Sequence, residues 1–178
     1  MGEHAKYSPS DSDRWMNCPG AVAFTAHMPD KETVYAAEGT LAHKLLELCL
    51  TEGVRAGTYL GHEIMTFEDP SFQTIVDEDM VDHIQKALDY IADRIGEFDE
   101  EPVVYSEMRV HVSDVVHGTG DVFLWWPVNA RIECYDLKYG RGKMVEADHL
   151  QQAIYLIGFV NEFVDDVDLD LDKLELIA

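Results

Sequence analysis

Positive charge is scarce in this sequence: 13 lysines and arginines stand against 35 aspartates and glutamates, a formal charge of −22 over 178 residues. Phosphate contacts supply most nucleic-acid affinity, so this balance opposes binding a polyanion over the surface as a whole. Cysteine is scarcer still. Cys18, Cys49 and Cys134 are odd in number, far apart and without a C-x-x-C pair. That excludes a disulfide framework and a zinc knuckle, and predicts reduced, partly buried thiols. No segment approaches the roughly 20 consecutive apolar residues that cross a bilayer. Met1-Gly2-Glu3-His4 carries no basic stretch followed by an apolar one, so a soluble cytoplasmic protein with no membrane partner is expected. Prolines number only six and 47% of residues are hydrophobic, which suits a single domain over residues 1–178 with its own core.

The pattern then changes along the chain. Residues 8–20 read as a short capped helix, with Ser10 or Asp11 as N-cap and Pro19-Gly20 as its stop. A second helix is predicted from Gly39-Thr40 to about Glu52, with Leu41, Leu45, Leu48 and Cys49 as its apolar stripe. From Gly53 to Phe72, punctuated by Gly57, Gly61 and Pro70, the chain reads as loop. Met80, Ile84, Leu88, Ile91 and Ile95 recur at helical intervals across 76–97. After Pro102 the period becomes two, predicting strands over 103–112, 120–126 and 131–138, with turns at Gly118-Thr119-Gly120 and Pro127-Val128-Asn129-Ala130. A last helix over about 145–164 turns Leu150, Ile154, Ile157 and Val164 inward, and Leu171–Ile177 reads as a closing strand. Helix, three strands, helix, strand is an α/β order.

Side chains on a strand alternate between faces, so Asp136 and Lys138 would project together. A carboxylate that can hold a hard cation, beside an ammonium that can steady phosphate charge, suits metal-dependent phosphodiester cleavage. A lysine at a strand end is more ordinarily a solvated edge residue. Its place after Asp136, and ahead of the basic stretch Gly140-Arg141-Gly142-Lys143, favours the catalytic reading; Arg141 and Lys143 are where a DNA backbone would meet positive charge. Asp121 follows Gly120 and opens a strand whose face it shares with Phe123 and Trp125, bringing its carboxylate toward Asp136, although Gly-Asp is also a common turn. Glu107 shares a face with Val103 and Tyr105, either as a further metal ligand or pointing to solvent at an edge. His43, near the start of a helix, can ligate through one ring nitrogen while a neighbour holds the other, although a lone histidine is more often structural. Glu47, one turn on, is the weaker candidate and suits a surface. Gln151 and Tyr155 emerge on one side of the last helix, able to contact a phosphate or a terminal base, or simply to pack Tyr155 and solvate Gln151. Trp125 and Trp126 face opposite ways, so at most one is core and the other could stack on a base, although packing is the more ordinary role for both.

Taken in order, Glu38-Gly39-Thr40-x-x-His43, Gly120-Asp121, Asp136-Leu137-Lys138 and Gln151-x-x-x-Tyr155 resemble the PD-(D/E)XK nuclease superfamily. Arg14-Trp15-x-x-Cys18-Pro19-Gly20 adds a likeness to its RecB-type and Cas4-like branch, which includes phage-encoded exonucleases. The likeness spans about residues 8–176. It implies a restriction-endonuclease-like core, a mixed central sheet flanked by helices. It implies His43, Asp121 and Asp136 as metal ligands, the carbonyl of Leu137 as a further one, and Mg²⁺ or Mn²⁺ as cofactor. Lys138 would be the catalytic lysine, with Gln151 and Tyr155 positioning DNA. The activity implied is DNA hydrolysis by an exonuclease of phage recombination or end processing, in the host cytoplasm if phage-encoded. Cas4-like iron–sulfur clusters take four cysteines, so none is expected with three. DNA is the implied partner, and the resemblance admits a recombination or annealing partner protein and an oligomer. The rival expectation is a non-catalytic descendant, a protein-binding subunit or an acidic mimic of DNA, which the net charge favours.

Overall fold

The structure, a computed structural model, describes residues 5–18, 20–27, 34–65, 73–140, 149–163 and 172–177. After a helical turn at Pro9–Asp11 come α1 (Ser12–Asn17), α2 (Ala21–Thr25), α3 (Val34–Glu52), β1 (Glu63–Met65), β2 (Gln73–Ile75) and α4 (Glu78–Ile95). Then follow β3 (Val103–Ser113), β4 (Val116–Trp126), β5 (Arg131–Tyr135), α5 (His149–Phe163) and β6 (Glu175–Ile177). The chain divides into two compact units. The first takes residues 1–30, 102–136 and 146–178, and the second takes 31–101 and 137–145. Among the described residues no helix is long and apolar enough to cross a membrane.

In the second unit α3 buries Leu41, Ala42, Leu45, Leu46 and Cys49 along one side. It begins at Val34, earlier than the predicted Gly39, because nothing in Val34–Glu38 breaks a helix and Gly39 is carried within it. Burial, and then the charge of Glu52, push the Cys49 thiol up to about 11. The side chain of Asp77 caps α4 by accepting from the Met80 N–H at 2.8 Å, a device worth about 1 kcal/mol. Glu78 and Asp79 in its first turn and Arg94 in its last complement the helix dipole. Met80, Ile84 and Ile91 form its buried stripe, as the spacing predicted. The expected loop after Gly53 is in part structured: a helical turn at Ala56–Tyr59 is followed by β1 and β2, which pair antiparallel from Glu63↔Ile75 to Met65↔Gln73. Strands of three residues are too short for a period of two to register.

The first unit is built on a four-stranded sheet in the order β3-β4-β5-β6, antiparallel except for β6, which runs parallel to β5. Helices and a mixed sheet make this an α/β arrangement. α5 covers one face, where Val110, Phe123, Trp125, Ile132, Cys134, Tyr155, Leu156 and Phe159 form the core. The Phe159 ring stacks on Phe123 at 4.7 Å between centroids and leans on Tyr105, Trp125 and Phe163. Trp125 and Trp126 are both buried, which leaves neither to stack on a base and agrees with packing as their role, because β4 is an interior strand. On the second face Glu133 is fully buried, held by Arg131 Nε at 2.6 Å and by the Tyr135 hydroxyl, while Arg131 also reaches Glu175 on β6 at 2.6 Å. Cys134 is buried, as is Cys49, but Cys18 is exposed.

Gly118-Thr119-Gly120 is not a turn. Ser113 pairs with Val116, so the chain reverses at Asp114-Val115 and β4 runs through both glycines, which leaves Asp121 inside the strand rather than opening it. The glycines serve close approach instead. A Cβ on Gly118 would lie 2.9 Å from Pro9 and 3.1 Å from the Tyr155 ring, and one on Gly120 would lie 2.5 Å from the Phe123 ring. Gly158 plays the matching part on α5, where a Cβ would meet Val110 at 2.9 Å. The row Gln151, Tyr155, Gly158, Phe159 therefore faces the sheet, and Ile157, predicted inward, is 47% exposed. Tyr105, Phe123 and Trp125 face α5 at one end of the β3–β4 hairpin, whereas Met108 and Val110 do so at the other. Simple alternation thus breaks between them, at Glu107, which has φ of 49°.

β3 lies at one edge of the sheet, and α5 covers part of that edge. The His111 N–H donates to Glu162 at 3.0 Å, and its carbonyl accepts from Asn161 at 3.1 Å. The Glu162 carboxylate also holds the His111 ring at 2.7 Å.

Gly120→Ala is expected to lower the unfolding free energy by about 1–3 kcal/mol in urea titration, the usual cost of overpacking a core. Gly57→Ala, where an added Cβ meets nothing within 4 Å, is expected to stay within about 0.5 kcal/mol of wild type.

Candidate functional site

Ser106 pairs with Val122 and Met108 with Gly120, so Glu107 and Asp121 stand opposite each other at the one step between them that the ladder skips. On the other side of β4, Val122 pairs with Tyr135, and one further step would set Asp136 opposite Asp121. Like charges directly opposite destabilise a strand pair. β5 accordingly ends at Tyr135, short of the predicted 138, and Asp136, Leu137 and Lys138 lie beyond it on irregular backbone. The expectation that strand alternation aligns Asp136 with Lys138 therefore fails. The register instead sets Glu107 and Asp121 opposite each other on two strands, with Asp136 one residue past the end of the third.

Carboxylate oxygens of Glu107 and Asp121 come within 4.8 Å of each other. Two ionised carboxylates at that distance repel by about 3 kcal/mol at an effective dielectric of about 20. Asp121 is only 8% exposed and Glu107 half-buried, so water screens the pair incompletely. Glu107 reaches this position with a left-handed backbone, which costs a non-glycine residue about 1 kcal/mol or more.

α5 supplies the neighbours. Gln151 Nε2 donates to Asp136 Oδ1 at 2.8 Å and lies 3.4 Å from the Tyr155 hydroxyl, one turn along the helix. Both residues are buried, Gln151 at 6% and Tyr155 at 5% exposure, so the reading in which Gln151 is merely solvated does not hold. Burial pushes the Tyr155 phenol up to about 12; the Gln151 hydrogen bond opposes that rise, while Asp121, Asp136 and Cys134 add to it. The Cys134 thiol is pushed up by burial first and then by the same two aspartates. Asp121, Asp136, Cys134, Gln151 and Tyr155 thus share one neighbourhood inside the first unit.

The other sequence candidates fall elsewhere in the chain. His43 is half-buried on α3, and Glu47, one turn on, is held by Lys44 at 2.6 Å. Leu137 and Lys138 belong to the second unit. Arg141, Lys143 and Pro19 lie outside the described residues. Two groups escaped the sequence reading: the buried Glu133 with its partners, and Tyr139, whose ring meets the His83 ring of α4 edge-on at 5.4 Å. An acid between two apolar residues, Ile132-Glu133-Cys134, was a legible sign of the first, while the second had none.

A family profile matches residues 4–176, nearly the whole sequence. The chain belongs to the family described as protein of unknown function DUF2800. No solved structure matches this DUF2800 member.

The raised Tyr155 pKa gives this DUF2800 chain a testable response to alkali. The phenol ordinarily titrates at 10.0 and here at about 12. A raised value means that the folded state holds the proton more tightly than the unfolded one. Its contribution to stability is complete below pH 10 and is lost as pH rises through about 12. Denaturant midpoints measured across that window should fall less steeply for Tyr155→Phe than for the wild type.

Proposed function

We propose that this chain is a metal-dependent deoxyribonuclease with a PD-(D/E)XK core, acting as an exonuclease of the RecB-like kind in phage recombination or DNA end processing. The observation that carries the reading is a pair of acids, Glu107 and Asp121, with oxygens within 4.8 Å of each other, and Asp136 follows Tyr135 at the end of the adjoining strand, where Gln151 holds it. The donor set fits a divalent cation. Glu107 and Asp121 converge within the first unit, and paired carboxylates suit Mg²⁺ or Mn²⁺, with His43 the imidazole ligand that the nuclease resemblance implies. Asp136 and the Leu137 carbonyl are the further candidates. Such an ion, when bound, lowers the pKa of a coordinated water and polarises the scissile phosphate.

The chain's own groups take the remaining tasks in this reading. Lys138 steadies the negative charge that develops on the phosphate, which is mainly electrostatic work. Gln151 holds the Asp136 carboxylate in place by donating to Oδ1 at 2.8 Å. Tyr155 stays a neutral hydroxyl, able to donate, throughout the ordinary pH range. Attack by water needs no covalent enzyme intermediate.

The net charge of −22 favours a second reading, a non-catalytic acidic protein that mimics DNA or binds another protein. Cleavage of end-labelled DNA with Mn²⁺ separates the two. Wild type should cleave, and Asp121→Asn, Asp136→Ala and Lys138→Ala should each lose on the order of 100-fold to 1000-fold in rate. Calorimetry should detect Mn²⁺ uptake that Asp121→Asn weakens. No cleavage by wild type, or equal cleavage by all four proteins, defeats the nuclease reading; failure to take up Mn²⁺ as well leaves the mimic.

A further inference from the structure

Lys138 lies on the irregular backbone between the end of β5 at Tyr135 and Gly140, whose φ of +121° suits only glycine. A lysine on such a segment has a flexible four-carbon stem and much rotamer freedom to lose before its ammonium can act at one place. Here the backbone is tied on both sides of it. Two residues before, Asp136 accepts from Gln151 at 2.8 Å. One residue after, the Tyr139 ring meets the His83 ring with centroids 5.4 Å apart and planes at 81°, the edge-to-face arrangement that aromatic quadrupoles favour. The His83 ring is itself fixed, because Nδ1 lies 3.0 Å from the carbonyl of Asp79 and must donate to it. The Tyr139 carbonyl also lies against α3 at Gly39, where even a Cβ would come within 3.9 Å.

The geometry points to Tyr139 and His83 as a positioning pair that holds the backbone of Lys138. Neither ring is a catalytic group; both act through the lysine between the anchors. The anchoring stands on these contacts alone, while its effect on rate rests on the nuclease reading above.

The test reads the lysine directly. Reductive ¹³C-methylation gives each lysine an NMR signal, and loss of one signal in Lys138→Arg assigns it. In Tyr139→Ala and in His83→Ala, the latter on an exposed part of α4 that folding tolerates, the Lys138 signal should move toward that of a free lysine. Tyr139→Phe, which keeps the ring, should restore it. A signal unmoved in both alanine variants overturns the proposal. In Mn²⁺-dependent cleavage, Tyr139→Ala should lower kcat rather than raise KM, on the order of 10-fold to 100-fold. It should add nothing to the loss already present in Lys138→Ala, and fully additive losses overturn the proposal. Wild type without cleavage defeats the nuclease reading, and the NMR signal then still decides the anchoring.

Discussion

Like charges at one level of neighbouring strands are the constraint to which the first unit answers. Glu107 on β3, Asp121 on β4 and Asp136 just past β5 occupy successive places in one register. A row of valines there would continue the ladder on all three strands. The acids interrupt it instead: β3 turns left-handed at Glu107, the β3–β4 ladder skips one step, and β5 stops. The helix that covers this face contributes an amide at the same level, with Gln151 donating into Asp136. Backbone distortion and a buried amide are both costs that apolar packing would avoid, and they gather around the same three carboxylates.

Much of this was legible from residues, and the rest was not for identifiable reasons. The stripes of α3 and α4 follow from spacing alone, since Leu41, Leu45 and Cys49, like Met80, Ile84 and Ile91, repeat at the helical period. The pairing of Gln151 with Tyr155 was visible as an i, i+4 relation. Burial of Gln151 was not, because it depends on an acid fifteen residues away. The hairpin misled for a related reason. Gly118 and Gly120 carry the composition of a turn, yet their missing side chains make room for Pro9, Tyr155 and Phe123. No local pattern encodes a neighbour that arrives from elsewhere in the chain.

Face assignments show the same limit. Alternation places Glu107 with Tyr105 on paper, but a residue with φ of 49° resets the phase for everything after it. Val110 consequently joins the core, and the spacing between Asp136 and Lys138 loses its meaning once the strand ends before both. Register gathers Glu107 and Asp121, while Asp136 and Lys138 follow on irregular backbone instead of sharing a face of one strand.

The edge of the sheet carries a separate lesson. A strand with nothing beside it offers a row of unused amides and carbonyls to any extended peptide, including another copy of itself. At His111 that invitation is withdrawn, because Asn161 and Glu162 of α5 present an amide donor and a carboxylate acceptor to the same two backbone groups that a fifth strand would seek. A helix thus impersonates a strand for one residue, and the hairpin gains protection against stray annealing without lengthening the sheet.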